Sequence, residues 1–341
     1  MSTRFRWLLA ALVLGLAACG GAQQAQSDSH TPRVVEVSLT VRSLDAEREF
    51  LVRALGAEPL GQSRAAIAEP FFALPTPSTR IARVRIGEET VALREVESPR
   101  AFPADAQSDD LAFQHLAIVV RDIDDAWARV LAAGATAISE GGPQRIPDSN
   151  PAAGGIRAGY FRDPEGHPLE LIWFPEGRGD PRWQSAARAH PEAVALGIDH
   201  TAIASSRTEA STRFYVDGLG LRVAGESLNE GIEQAHLSAV PGARVHITGM
   251  RAAEGPGVEL LEYLAPRDRG RAPDTRDAAD LAHTETVVQV RDIDTTLARL
   301  RTLDFRGPPE ASACGALCAT EGARAALVRD PDGHAVRLEG R

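Results

Sequence analysis

The sequence predicts an α+β protein of two domains, each built from two paired β-α-β-β-β units. Three observations carry this. Arg121-Asp122-Ile123-Asp124 recurs as Arg291-Asp292-Ile293-Asp294, and Asp163-Pro164-Glu165-Gly166-His167 as Asp330-Pro331-Asp332-Gly333-His334, 170 and 167 residues further on. Strand-to-helix openings start at Glu36, His115, His200 and Glu285, spaced 79, 85 and 85 residues apart, so each half repeats again. The stretch 113–174 shows one unit complete, with a histidine on its first strand and a glutamate on its last.

Unit one opens with Val35–Val41, whose alternation puts Glu36, Ser38 and Thr40 on one face. A helix over Asp45–Leu55 stops at Gly56; an irregular, proline-bearing stretch (65–79) and a last strand (90–96) follow. A polar connection, 99–110, leads to unit two. Its strand 113–120 precedes a helix in which Ile123, Trp127, Val130 and Leu131 form one apolar stripe. Gly134 ends that helix with a left-handed cap, and the last strand, 169–174, follows the Asp163–His167 turn. Residues 176–196, dominated by Pro, Gly and Arg, read as the linker between an N-terminal domain (33–175) and a C-terminal domain (197–341). Trp183 is the linker's large apolar residue. Unit three runs from Ile198 to about Tyr263, with His236 on its expected second strand, and unit four from Glu285 to Leu338.

Ahead of the units, Arg4 and Arg6 precede an apolar run from Trp7 to Ala18 that ends in Leu16-Ala17-Ala18-Cys19. This pattern predicts a bacterial lipoprotein signal over 1–19, with Cys19 acylated as the first mature residue, and a flexible tether over 20–32. The expected place is the cell envelope, outside the cytoplasm and on the periplasmic side if there are two membranes, with membrane contact through the lipid alone. A net charge of −10 with no basic run argues against nucleic acid as a partner. The chain has no lysine, which excludes Schiff-base chemistry and a Walker-type phosphate loop. In an oxidising compartment Cys314 and Cys318 are expected to pair as a disulfide.

Ile198-Asp199-His200-Thr201-Ala202-Ile203, Arg213-Phe214-Tyr215 through Leu219-Gly220-Leu221, and the two Asp-Pro-x-Gly-His turns carry a family likeness. From Val34 to Leu338 the chain resembles the vicinal oxygen chelate superfamily of glyoxalase I, extradiol dioxygenases, epimerases and bleomycin-resistance proteins. That superfamily hosts several chemistries, and some members catalyse nothing.

The resemblance implies that two units pack into a U-shaped mixed sheet, whose trough takes metal ligands from first and last strands. Carried over by spacing, it implies an N-terminal trough with Glu36, His115 and Glu170, where Ala92 or Arg94 falls in the fourth place. It implies a C-terminal trough with His200, Glu285 and either Glu259 or Glu262, where Arg337 takes the last place and His283 is an alternative to Glu285. Either set suits a divalent zinc, iron(II), manganese or nickel ion, with Glu170 or Glu259 as ligand or general base. Arg337 and His236 are expected to contact a small-molecule ligand, Arg337 as an anion clamp, so a metal is expected in the N-terminal trough. Two functional readings follow. One is an extracytoplasmic lipoprotein that binds a small oxygen-rich molecule at a divalent metal for lyase, isomerase or dioxygenase chemistry. The other is a non-catalytic protein that sequesters a small molecule, as bleomycin-resistance relatives do.

Overall fold

The computed structural model describes residues 31–66, 78–266, 278–305, 307 and 310–341. The expected signal, Cys19 and nearly all of the tether lie outside the described residues, as does most of 65–79.

Unit one comprises β1 (Arg33–Val41), α1 (Leu44–Leu55), β2 (Glu58–Ala66), β3 (Ser78–Ile86) and β4 (Glu89–Glu95). Ser43 caps α1 by accepting from Ala46 N, and Gly56 closes it at φ +73°, the left-handed conformation that costs glycine least. Unit two comprises β5 (Gln114–Val120), α2 (Ile123–Ala132), β6 (Thr136–Ala137), β7 (Gln144–Arg145), β8 (Arg157–Arg162) and β9 (Pro168–Trp173). The expected linker contains a helix, α3 (Pro181–Ala189), capped by Asp180. Unit three comprises β10 (Ala195–Ala204), α4 (Thr208–Thr212) with a π-helical turn after it, β11 (Arg222–Asn229), α5 (Ile232–Ser238), β12 (Arg244–Arg251) and β13 (Gly257–Ala265). His236 therefore sits on a helix and not on the expected strand. Unit four comprises β14 (Thr284–Gln289), α6 (Ile293–Thr302), β15 (Ser312–Ala313), β16 (Arg324–Arg329) and β17 (Ala335–Gly340).

The units pair across the halves. The first sheet runs β15-β16-β17-β14-β1-β4-β3-β2 and joins units four and one; the second runs β11-β12-β13-β10-β5-β9-β8-β6 and joins units three and two. In each, the two first strands are antiparallel neighbours at the centre. The two largest apolar clusters, which hold the helices, follow the halves instead. Leu44, Phe50 and Leu51 of unit one pack with Ile123, Ala126 and Val130 of unit two, and Phe214, Tyr215 and Leu219 of unit three pack with Ile293, Leu297 and Leu300 of unit four. The division at 33–175 and 197–341 thus describes the helical cores but not the troughs, each of which draws on both halves. This corrects the implied grouping of Glu36 with His115 and Glu170, and of His200 with Glu285.

The repeated turns join the sheets at their ends. Asp163 Oδ1 accepts from the amides of Glu165, Gly166 and His167, and His167 bonds Asp163 Oδ2 through Nδ1 and Thr40 O through Nε2. Cys314 and Cys318 are joined as a disulfide, with Cα atoms 5.6 Å apart.

Candidate functional site

Four side chains converge at the middle of the second sheet. On the antiparallel pair β5 and β10, His115 lies opposite Ala202 and His200 opposite Ala117, bringing the imidazole centroids within 5.9 Å. Each parallel neighbour adds a carboxylate: Glu170 of β9 lies opposite Ala117, and Glu259 of β13 opposite Ala202. His115 Nε2 is 3.0 Å from Glu170 Oε2, and His200 Nε2 is 3.4 Å from both Glu170 Oε2 and Glu259 Oε2. Donors held about 2.1 Å from a common ion stand about 3.0 Å apart at a right angle and about 3.4 Å apart at the tetrahedral angle. The donor types and these separations fit a first-row divalent cation.

The electrostatics point the same way. Burial alone would lower the pKa of His200, but Glu259, Asp199 and Glu170 around it outweigh that and raise it well above the ordinary value. A field that favours positive charge at that imidazole also favours a cation beside it. The two glutamates differ. Burial opposes ionisation of Glu170, yet hydrogen bonds from His115 and His200 prevail and hold its pKa at about 2. At Glu259 burial prevails over the attraction of His200 and its pKa is raised, while its side chain keeps 24% of its exposure.

Behind His200 stands a residue that the sequence reading passed over. Asp199 Oδ2 accepts from His200 Nδ1 at 2.9 Å and from Arg251 Nη2 at 2.7 Å. Adjacent strand residues normally face opposite ways. Here the register shifts between Ile198 and His200, and this bulge lets Asp199 reach its neighbour's ring. Fixing the Nδ1 proton leaves Nε2 to face the cluster, as in carboxylate–histidine–metal arrangements. The Asp-His dipeptide was visible in the sequence, but the bulge was not.

The cluster opens into a cavity of about 320 Å³. Ile146, Ile156, Leu237, Ile247 and Leu261 give it an apolar wall, and Glu226, Ser227 and Asn229 a polar one. Besides the two histidines, its lining cation is Arg251, which is engaged by Asp199. His236 is not among the lining residues; its half-exposed ring lies 3.8 Å from Glu140, which corrects its expected ligand contact.

The equivalent place in the first sheet is filled. Glu36 and Glu285 occupy the first-strand positions, but Arg337 Nη2 lies 2.9 Å from Glu36 Oε1 and its Nη1 3.0 Å from Glu285 Oε2. Arg94 Nη1 approaches Glu285 Oε1 at 3.0 Å, and His283 Nε2 lies 2.8 Å from the same oxygen. Burial would raise the carboxyl pKa of Glu285, but Arg337, Arg94 and His283 hold it well below the usual range. Guanidinium groups stand where an ion would, so Glu36 and Glu285 are not placed as metal ligands. Arg337 is 1% exposed and cannot clamp a diffusing anion. Glu262, the alternative to Glu259, instead accepts from Thr208 N.

One more cluster, Glu47, Asp163 and His167, brings three donors together. Both nitrogens of His167 are committed to Asp163 and Thr40, so it acts as a joint between the sheets.

A sequence profile of the Glyoxalase/Bleomycin resistance protein/Dioxygenase superfamily matches residues 33–171 and 197–338, and the chain belongs to that superfamily. Among solved structures it resembles a mutant form of glyoxalase I from Zea mays, with a TM-score of 0.60 and 15% identity over 92% of this chain and 93% of that one. Glyoxalase I from the same plant gives 0.57 and 15% over 91% and 92%. A putative dioxygenase from Bacillus subtilis subsp. subtilis str. 168 gives 0.53 and 14% over 91% and 86%. At these identities the likeness is one of fold. No curated protein matches the chain.

Proposed function

We propose that the trough of the second sheet binds a small, oxygen-rich molecule at a divalent metal and catalyses a proton-transfer reaction of the lyase or isomerase type. The observation that carries this is that His115, Glu170 and His200 meet at ligand separations against a cavity, with Glu259 3.4 Å from His200. The ion would be held by His115, Glu170 and His200, with Glu259 beside it, and would polarise a bound oxygen pair. A Lewis acid there would acidify a carbon–hydrogen bond next to the bound oxygens, the step a lyase or isomerase needs.

The chain's own residues divide the work. Glu170, held as a carboxylate at about 2, is suited to permanent ligation. Glu259, whose pKa is raised by burial and whose side chain stays partly exposed, is suited to take and return a proton at its carboxylate oxygen. The apolar wall holds the body of the substrate and excludes water. With Glu170, Glu226 and Glu259 in the lining and Arg251 already engaged, a neutral ligand is favoured over a polyanionic one such as a glutathione or coenzyme A conjugate.

Elemental analysis of purified protein is expected to find about one divalent ion per chain, and Glu259→Gln to keep most of that metal while losing turnover. A protein that stays metal-free in metal-replete buffer, yet binds ligand in the same cavity, would replace this reading with sequestration. The leader supports an envelope lipoprotein anchored at Cys19. Cys19→Ala should then leave the protein out of the membrane fraction, and unchanged partitioning would remove that assignment.

A further inference from the structure

The superfamily match leaves out residues 172–196, and α3 lies within them. Its Trp183 is 3% exposed, although an indole at a linker position needs no burial. The indole Nε1–H donates to Asp199 Oδ1 at 3.1 Å, the oxygen not taken by His200 and Arg251. Asp199 is itself 4% exposed, so without the indole that oxygen would lose its donor away from water.

Trp183 is in turn held from behind. The Arg182 guanidinium lies 3.8 Å from the indole ring centroid, within cation–π range. Arg182 Nη1 bonds Glu89 Oε1 at 2.6 Å, and Glu89 Oε2 accepts from Ile198 N at 2.8 Å. Glu89 opens β4, so the first sheet reaches across to the strand that carries His200. Gly197 makes room for this. A Cβ there would meet Glu89 Oε2 at 2.5 Å and Trp183 Cζ3 at 2.8 Å, and its φ is +154°.

We propose that Glu89, Arg182 and Trp183 form a positioning relay that fixes Asp199, and through it the His200 imidazole, so that the segment between the repeats belongs to the metal centre. This rests on the metal reading above. Outer-shell partners of a ligating histidine typically change metal affinity by about 10–100-fold, and a residue one bond further out should act through the same carboxylate with less effect.

The test uses the full mature chain and cobalt(II) alone, followed by the visible spectrum and the dissociation constant. Trp183→Phe keeps an aromatic ring and removes the N–H; it is expected to weaken cobalt binding about fivefold and to alter the d–d bands. Asp199→Ala is expected to weaken it about 10–100-fold, and adding Trp183→Phe to that variant should change little further. Equal affinity and spectra in Trp183→Phe and the wild type, or the same loss in both backgrounds, would overturn the relay. Arg182→Met, at a partly exposed position, provides a second variant should Trp183→Phe unfold. If the wild type binds no cobalt, the metal reading fails by itself, and exchange of the Trp183 indole proton decides the relay. Slow exchange in the wild type that becomes fast in Asp199→Ala supports it; equal exchange in both overturns it.

Discussion

The two troughs are built on one plan and end in opposite states. In all four units the last-strand residue at issue lies opposite the residue two positions after the first-strand residue. Glu170 follows from His115, Glu259 from His200, Ala92 from Glu36 and Arg337 from Glu285. The second sheet therefore presents two imidazoles and two carboxylates, whereas the first presents two carboxylates, a methyl group and a guanidinium. Arg94, one strand pleat beyond Ala92, bonds Glu285, Thr40 and the Ala278 carbonyl. An arginine carries its own positive charge into the trough and needs no ion. The lesson is that the scaffold fixes where four side chains meet, and the charges placed there decide between a binding site and a buried salt-bridge core.

The largest difference should appear on deleting a first-strand residue from each trough. His115→Ala and His200→Ala are each expected to weaken cobalt(II) binding by more than about 100-fold, beyond what outer-shell changes cost, while Glu36→Gln leaves it unchanged. Isothermal titration at matched folded fraction checks this. Loss of metal in Glu36→Gln, or retention in either histidine variant, would break the comparison at its base.

Next is the stability held in the filled trough. Removing one partner of a buried ion pair costs about 3–5 kcal/mol, because the other is left uncompensated. Arg337→Met deprives Glu36, Glu285 and Glu339 together and is expected to cost about 3 kcal/mol or more in denaturant unfolding. The pH dependence has a definite sign. Glu285 is held below its ordinary 4.5, so its contribution is present above about pH 4.5 and is lost as the pH falls below that towards the folded value. Arg337→Met should weaken that acid dependence. An unchanged midpoint at neutral pH would show that the arginine merely fills space.

Much of this was legible in the sequence, though unevenly. The repeat, the first strands and the residues His115, Glu170 and His200 could be read from spacing and family likeness, with Glu259 open against Glu262. Their partners could not, because the first strands of all four units carry similar apolar patterns and nothing local distinguishes a neighbour in the same half from one in the other. In the structure α1 packs on α2 and unit three on unit four, while β1 pairs with β14 and β5 with β10. Register resolved the open alternatives, selecting Ala92 and Glu259. Asp199 was missed because it acts through a bulge, and Trp183 because a helix between repeats has no counterpart to align with. A buried indole is still a signal in such a segment, since its N–H usually finds an acceptor.

The smallest expected effect tests whether the two troughs are independent. The Cys314–Cys318 disulfide closes a loop of sequence separation four, for which chain entropy predicts about 2 kcal/mol of stabilisation. Within that loop the carbonyls of Ala316 and Leu317 accept from Arg83 at 3.3 and 3.1 Å, and Arg83 pairs with Glu36. The disulfide therefore supports the filled trough, and among the described residues its loop packs with Ile81, Ala278 and Ala325 of the first-sheet side. Replacing both cysteines with serine should lower unfolding stability by about 2 kcal/mol and leave cobalt affinity unaltered. If stability does not change, the loop is held by other contacts, among them Glu339 accepting from Ala319 N and Thr320 N. If cobalt affinity falls with stability, the filled trough transmits strain to the open one through the shared helical cores, and the two sheets must be treated as one coupled unit.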